Sequence, residues 1–216
     1  VEVPNEWELI ARSESSIKWQ GFRVRQETRR TDGSASYMDL QAERGWNMEQ
    51  VKDSHVLVNV EVRLVPKRNP KSATDTEGLE NLSAQTDVAW VLIKAATGIW
   101  SVKTRDIDLM GNVQIYGYSL EGELTEWIAA ERIFYGQKEN SVRSISPAIY
   151  EGRSFQIGKV NRGFVETDVD LNEINIRNLE PLPDDFRSPF RSPEMMPAYS
   201  PPEALRFVQE ASHSPS

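Results

Sequence analysis

The stretch HVLVNVEVRLV, residues 55–65, alternates apolar and polar side chains with a period of two, and that period commits its neighbourhood to a β-sheet with one covered face. Val56, Val58, Val60, Val62 and Leu64 are expected on the buried side, with Asn59, Glu61 and Arg63 on the other. A second run, SIKWQGFRVRQ at 16–26, alternates on either side of Gly21, which predicts a strand whose phase is reset at the glycine. VAWVLIKA at 88–95 is apolar throughout, as a strand covered on both faces would be.

GIWSVK (98–103), NVQIYGYSL (112–120), EWIAAERIFYG (126–136), RSFQIGKV (153–160), GFVETDVDL (163–171) and INIRNL (174–179) extend the pattern, punctuated by Gly, Asn and Asp. About nine short strands at regular spacing predict a mainly β chain, an antiparallel sandwich or barrel. The run 126–136 also suits a short helix through Trp127, Ala130, Glu131 and Phe134. One inserted helix is expected at SASYMDLQAERGWNMEQV (34–51). There Ser36 with Asp39 resembles a capping box and Gln41, Ala42, Glu43 and Arg44 are good helix formers.

Two segments stand outside the β pattern. PKRNPKSATDTEGLENLSAQT (66–86) is nearly free of apolar residues and reads as a long exposed loop; it contains an Asn81-Leu82-Ser83 triplet. Eight of the twelve prolines fall in 181–216, so a β domain over 1–180 is expected to give way to an extended arm over 181–216. The arm carries the doubled unit FRSPFRSP. If it is extended, its two phenylalanines stand about 12 Å apart, a spacing suited to successive pockets on a partner. A plain tail with phosphorylatable Ser188 and Ser192 is the other reading.

Hydrophobic residues make up 38 % of the chain and charged residues 27 %, enough apolar content for a core. The net charge of −8 opposes general binding to nucleic acid or an anionic membrane, so any such contact must be local. Absence of cysteine removes disulfides, thiolate metal sites and cysteine nucleophiles. No apolar run reaches the roughly 20 residues of a membrane span, and VEVPNEWELI has the character of no targeting leader. Val1 in place of Met reads either as a processed end, of which a product cut from a larger precursor is one source, or as a chosen starting point.

With only His55 and His213, and with neither GxxxxGK[ST] nor GxGxxG, the chain is expected to be no enzyme and to hold no cofactor and no metal. Glu121, Glu123, Glu126 and Glu131 cluster in sequence, but sequence does not set the separation a glycosidase needs. Glu166, Asp168 and Asp170 share one strand face, opposite Val165, Val169 and Leu171; a solvated acidic face and a calcium site are its two meanings. Arg23, Arg25, Arg29 and Arg30 are candidate RNA contacts, against the alternative of a charged guard on a strand edge. Trp19, Trp90, Trp100 and Trp127 lie in apolar runs and are expected to fill the core, while Trp7 and Trp46 lie in polar surroundings.

The order of SIKWQGFRVRQ, the helix candidate, HVLVNVEVRLV and the ending VETDVDLNEINIRNLEPLPDDFRSPF resembles the small coat proteins of icosahedral picorna-like plant viruses of the cowpea-mosaic-virus group. That resemblance implies an eight-stranded jelly roll released from a polyprotein and assembling with other coat subunits around genomic RNA, in the virion and, during assembly, in the host cytoplasm. It also implies that Phe186, Arg187, Phe190, Arg191, Met195, Met196 and Tyr199 dock the arm across a neighbour. A calycin-like β-barrel binding a small ligand, of the lipocalin or bilin-lyase type, is the alternative from another class.

Overall fold

A computed structural model of the chain describes residues 18–29, 35–47, 53–68, 88–152, 160–171, 173–202 and 205. Ten strands follow in order: β1 (Lys18–Arg29), β2 (Ala35–Asn47), β3 (Ser54–Arg68), β4 (Trp90–Ser101), β5 (Ile107–Tyr118), β6 (Leu124–Gly136), β7 (Ser141–Ser144), β8 (Ala148–Gly152), β9 (Val160–Asp168) and β10 (Asn175–Glu180). All join one antiparallel sheet in which β1 to β6 are neighbours in sequence order. β7 and β8 lie end to end between β6 and β9, each pairing with both. Greek-key connections, which set non-consecutive strands side by side, define a jelly roll. The expected mainly β, antiparallel chain is present as one ten-stranded sheet, in sequence order from β1 to β6 and with β7 and β8 sharing the place between β6 and β9.

The expected inserted helix is strand β2. Met38, Leu40 and Ala42 are buried on one face, and the segment is paired on both sides, to β1 and to β3. Two full ladders outweigh the local helix preference of Gln41 to Arg44, which amounts to only tenths of a kcal/mol per residue. The ambiguous run 126–136 is likewise a strand, β6, and the described arm carries a 3-10 turn at Pro193–Met195.

A bend crosses the sheet at mid-strand. The ladders are interrupted at Gly21 opposite Glu43, at Asn59, at Ala96, at Gly111 and Asn112, and at Glu131. Gly21, Asn59, Gly111 and Asn112 take positive φ, and β5 carries one more residue than either neighbour at this level. Alternation reverses across the line. In β3, Val60, Val62 and Leu64 face inward as expected, but below Asn59 it is Leu57 that enters the core. Val56 and Val58 turn outward to pack with Trp46. The single buried face assigned to the five valine and leucine positions of HVLVNVEVRLV is thus corrected; Gly21 takes positive φ at the same level, and the side chains before it lie outside the described residues.

The inner face forms one aliphatic core drawn from β2 to β9, with Phe22 and Val24 of β1 and Ile176 of β10 packed against it. Leu40, Leu57, Ile93, Ile107, Leu109, Ile115, Ile128 and Ile133 are essentially sealed from solvent. Gln26, Tyr37 and Met38 from the first strands share a small cavity with Tyr135, Gln137 and Val169 from the far end of the chain, so the sheet curls over its own inner face. At one rim His55 stacks on Trp100 with ring centroids 5.4 Å apart, and Phe22 sets its ring at an angle to both, 5.6 and 5.8 Å away. Burial there holds the His55 imidazole below its ordinary pKa, against a weaker pull upward from Asp53.

Candidate functional site: an outer trough closed by the C-terminal arm

On the outer face, above the bend, register brings a second apolar group together. Trp90 pairs with Tyr118 and Tyr116 with Trp127, so four aromatic rings from β4, β5 and β6 form a belt; Val65 and Leu92 extend it. Trp90 and Tyr118 stack with centroids 4.7 Å apart. Two of the four tryptophans assigned to the core thus fill a layer outside the sheet, and Trp46, which the sequence placed in polar surroundings, is buried as well. Trp7 and the Trp19 side chain lie outside the described residues.

The arm covers this belt in cis. Leaving β10 at Glu180, it is held by Arg162, which donates to the Pro181 carbonyl at 3.1 Å. Phe186 meets Trp127, Arg191 approaches Glu151 at 3.4 Å, Tyr199 sets its edge against Trp90 and Tyr118, and Leu205 is buried among them. Arg63 of β3 donates to the Ser200 carbonyl at 3.1 Å. The Tyr199 ring also rests on the β5–β6 turn, where a Cβ on Gly122 would come within 3.0 Å of it.

The doubled FRSP unit is not an extended ladder of anchors. Arg191 and Ser192 both donate backbone N–H bonds to the Ser188 carbonyl, at 3.1 and 2.8 Å, so the chain turns between the two repeats. Phe186 is half-buried and Phe190 faces out; Arg187 is exposed, whereas Arg191 lies over the Phe186 ring at 5.5 Å and pairs with Glu151. Met195 is half-buried, while Met196 and Tyr199 keep 37 % and 49 % of their surface exposed.

Beside the belt, the bend opens a trough of about 570 Å³. Its floor is Asn59, Glu61, Lys94, Asn112, Gln114 and Tyr116, and Met195, Met196 and Pro197 of the arm form its wall. A second depression of about 320 Å³ over β1 to β3 shares Asn59 and Glu61 with it. Polar groups converge here: Trp127 donates to Gln114 at 2.8 Å, Gln114 to Asn112 at 2.7 Å, and Asn59 to Glu43. Glu61 is bracketed by Arg63 and Lys94. Burial, reinforced by Tyr116 and Tyr199, pushes the Tyr118 phenol up to about 12, so it remains a hydrogen-bond donor at neutral pH.

The underside of the arm is imperfectly satisfied. Trp90 Nε1, Tyr118 Oη, Glu151 Oε2 and Ser188 Oγ are buried with no hydrogen-bond partner among the described residues. Each such group is destabilising by about 1–3 kcal/mol relative to a paired one. Nothing in the residue string marks this layer in advance, because the trough joins positions from 59 to 116 with 195 to 197.

Arg23 and Arg25 project from the outer face of the edge strand β1. Arg23 binds the buried Asp39 carboxylate through two bonds, at 2.9 and 2.5 Å, and Arg25 adds a contact at 3.8 Å. Burial pushes Asp39 up, but hydrogen bonds from Arg23 and Gln41 and the two guanidinium charges outweigh it and leave its pKa lowered. The Arg29 side chain and Arg30 lie outside the described residues. The sequence cluster of glutamates is dispersed: Glu121, Glu123 and Glu131 are exposed, while Glu126 is fully buried and accepts a 2.5 Å bond from Tyr150. Gly152 makes room for it, since a Cβ there would meet Glu126 Oε2 at 1.7 Å. Glu166 pairs with Arg177 on the exposed face opposite buried Val165 and Val169, and among the described residues no group of three or more His, Asp or Glu is placed to hold a metal. Asn81 lies outside the described residues.

No family model matches the chain, and no curated protein matches it in sequence.

Proposed function

We propose that the chain is a non-enzymatic binding protein of the calycin-like type, and that its ligand site is the outer trough between the bend and the arm. The observation that carries this reading is the trough itself. Its volume of about 570 Å³ suits a small organic molecule, and polar side chains converge there beside Tyr116, the one ring of the aromatic belt that lines it. Lys94 and Gln114 offer donors to a carboxylate or amide, and Met195 and Met196 offer an adaptable apolar wall. The sequential antiparallel order of β1 to β6 supports this reading, because up-and-down barrels pair their strands in that order.

Thermal shift of the full chain with biliverdin and, separately, with anilinonaphthalene sulfonate tests this. A rise in Tm that Lys94→Ala and Gln114→Ala both reduce is expected. If neither probe binds, and negative-stain microscopy of the purified chain shows closed shells, the ligand reading is overturned. A second reading, a coat subunit assembling with other subunits into an icosahedral shell around RNA, draws support from Phe190, Met196 and Tyr199. These keep apolar surface on the outward side of the docked arm.

A further inference from the structure

We propose that Ser188 is a phosphorylation site and that its modification releases the arm from the sheet. Ser188 is 0 % exposed, yet its hydroxyl has no hydrogen-bond partner among the described residues, so an alanine would fill the same space without an orphaned polar atom. Packing therefore gives no reason for the oxygen. The surrounding segment does: Ser188 precedes Pro189 and follows Arg187, in an arm whose described residues join none of the strand ladders. A segment outside the ladders can open while the sheet stays folded, and when open it is an extended Ser-Pro substrate for a proline-directed kinase using ATP. The Ser188 oxygen attacks the γ-phosphorus, the bond to the β-phosphate oxygen breaks to release ADP, and the hydroxyl proton leaves to solvent.

The product does not fit the docked arm. A phosphoserine carries a charge of about −1.5 to −2 and three acceptor oxygens, which cannot re-enter a site with no solvent exposure. Arg191 binds Glu151 while its own backbone N–H bonds the Ser188 carbonyl, so the new phosphate competes for the cation that lies on Glu151 Oε1. Glu151 is 4 % exposed, and its other oxygen is already unpartnered. Drawing Arg191 away leaves a buried carboxylate without compensation and disfavours re-docking further. Ser192, the matching position of the second repeat, is only half-buried, and its modification is expected to leave Phe186 and Tyr199 in place.

The test uses the full chain treated with a proline-directed kinase and ATP, beside Ser188→Asp, Ser188→Ala and Ser192→Asp. Limited trypsin digestion at Arg187 and Arg191 reads the arm, and circular dichroism checks the sheet. Phosphate on Ser188 is expected, with cleavage faster by about tenfold or more once docking no longer opposes opening, and β-structure retained. Ser188→Asp should match it, while Ser188→Ala and Ser192→Asp should cut at the unmodified rate. The proposal is overturned if the kinase modifies an isolated FRSPFRSP peptide but not Ser188 in the chain. An arm that stays equally protected after stoichiometric phosphorylation of Ser188 overturns it as well.

Discussion

The two apolar layers on either side of the sheet are built differently. Inside, aliphatic side chains from β2 to β9 close on one another, and the sheet supplies both the residues and the cover. Outside, four aromatic rings are covered by a single crossing of the arm, and four polar atoms are buried there without a partner among the described residues, against Trp100 Nε1 at the inner rim beside His55. Aliphatic surface removed from water contributes about 25 cal/mol per Å² without directional demands, whereas an indole or phenol contributes fully only when its polar end is also matched. The inner layer therefore sets global stability. The outer layer can be opened without unfolding the sheet, which is what a closable trough requires.

The sharpest way to break this contrast is to truncate the inner layer. Ile115→Ala removes most of a fully buried side chain in β5 and is expected to cost about 2–5 kcal/mol, read as a lower midpoint in denaturant for the whole sheet. Tyr199→Ala removes the arm's edge contact with Trp90 and Tyr118, an aromatic interaction of about 0.5–1.5 kcal/mol on a ring that is already half-exposed. Here the expected outcome is faster trypsin cleavage at Arg191 with the sheet's midpoint nearly unchanged; an equal loss in both would merge the layers. The smallest effect concerns the rim. The His55 pKa is lowered in the folded chain, so below the ordinary value near 6.5 the unfolded chain takes up the proton more readily. Tm should fall as pH drops from about 7.5 to 5.5, and His55→Gln should flatten that slope without altering arm cleavage.

What could be read in the residue string divides along the same line. β1 and β3 were legible because burial on one face imposes a period of two, β4 showed as apolar runs, and β6 stayed open to a helix; Gly21 marked a break because glycine alone enters positive φ freely. Asn59 makes the same kind of turn but wears an ordinary polar residue's place in an alternating run, so the reversal at Leu57 was hidden. β2 was misread because helix preference is local while its two ladders are made with residues 18–29 and 55–68. The arm's two FRSP units are identical in sequence. Only the turn at Ser188 decides that Phe186 docks and Phe190 does not, and the trough depends on that same path.

Hydrogen exchange on the intact chain, resolved by segment, tests the central claim most directly. The account predicts that amides of β5 and β6 exchange only through global unfolding, while the arm's Arg191, Ser192, Met195 and Met196 amides, though hydrogen-bonded, exchange through an opening of much lower free energy that Ile115→Ala leaves unchanged. Arm amides protected to the same limit as β5, and weakened in step with it by Ile115→Ala, would contradict the separation of the two layers.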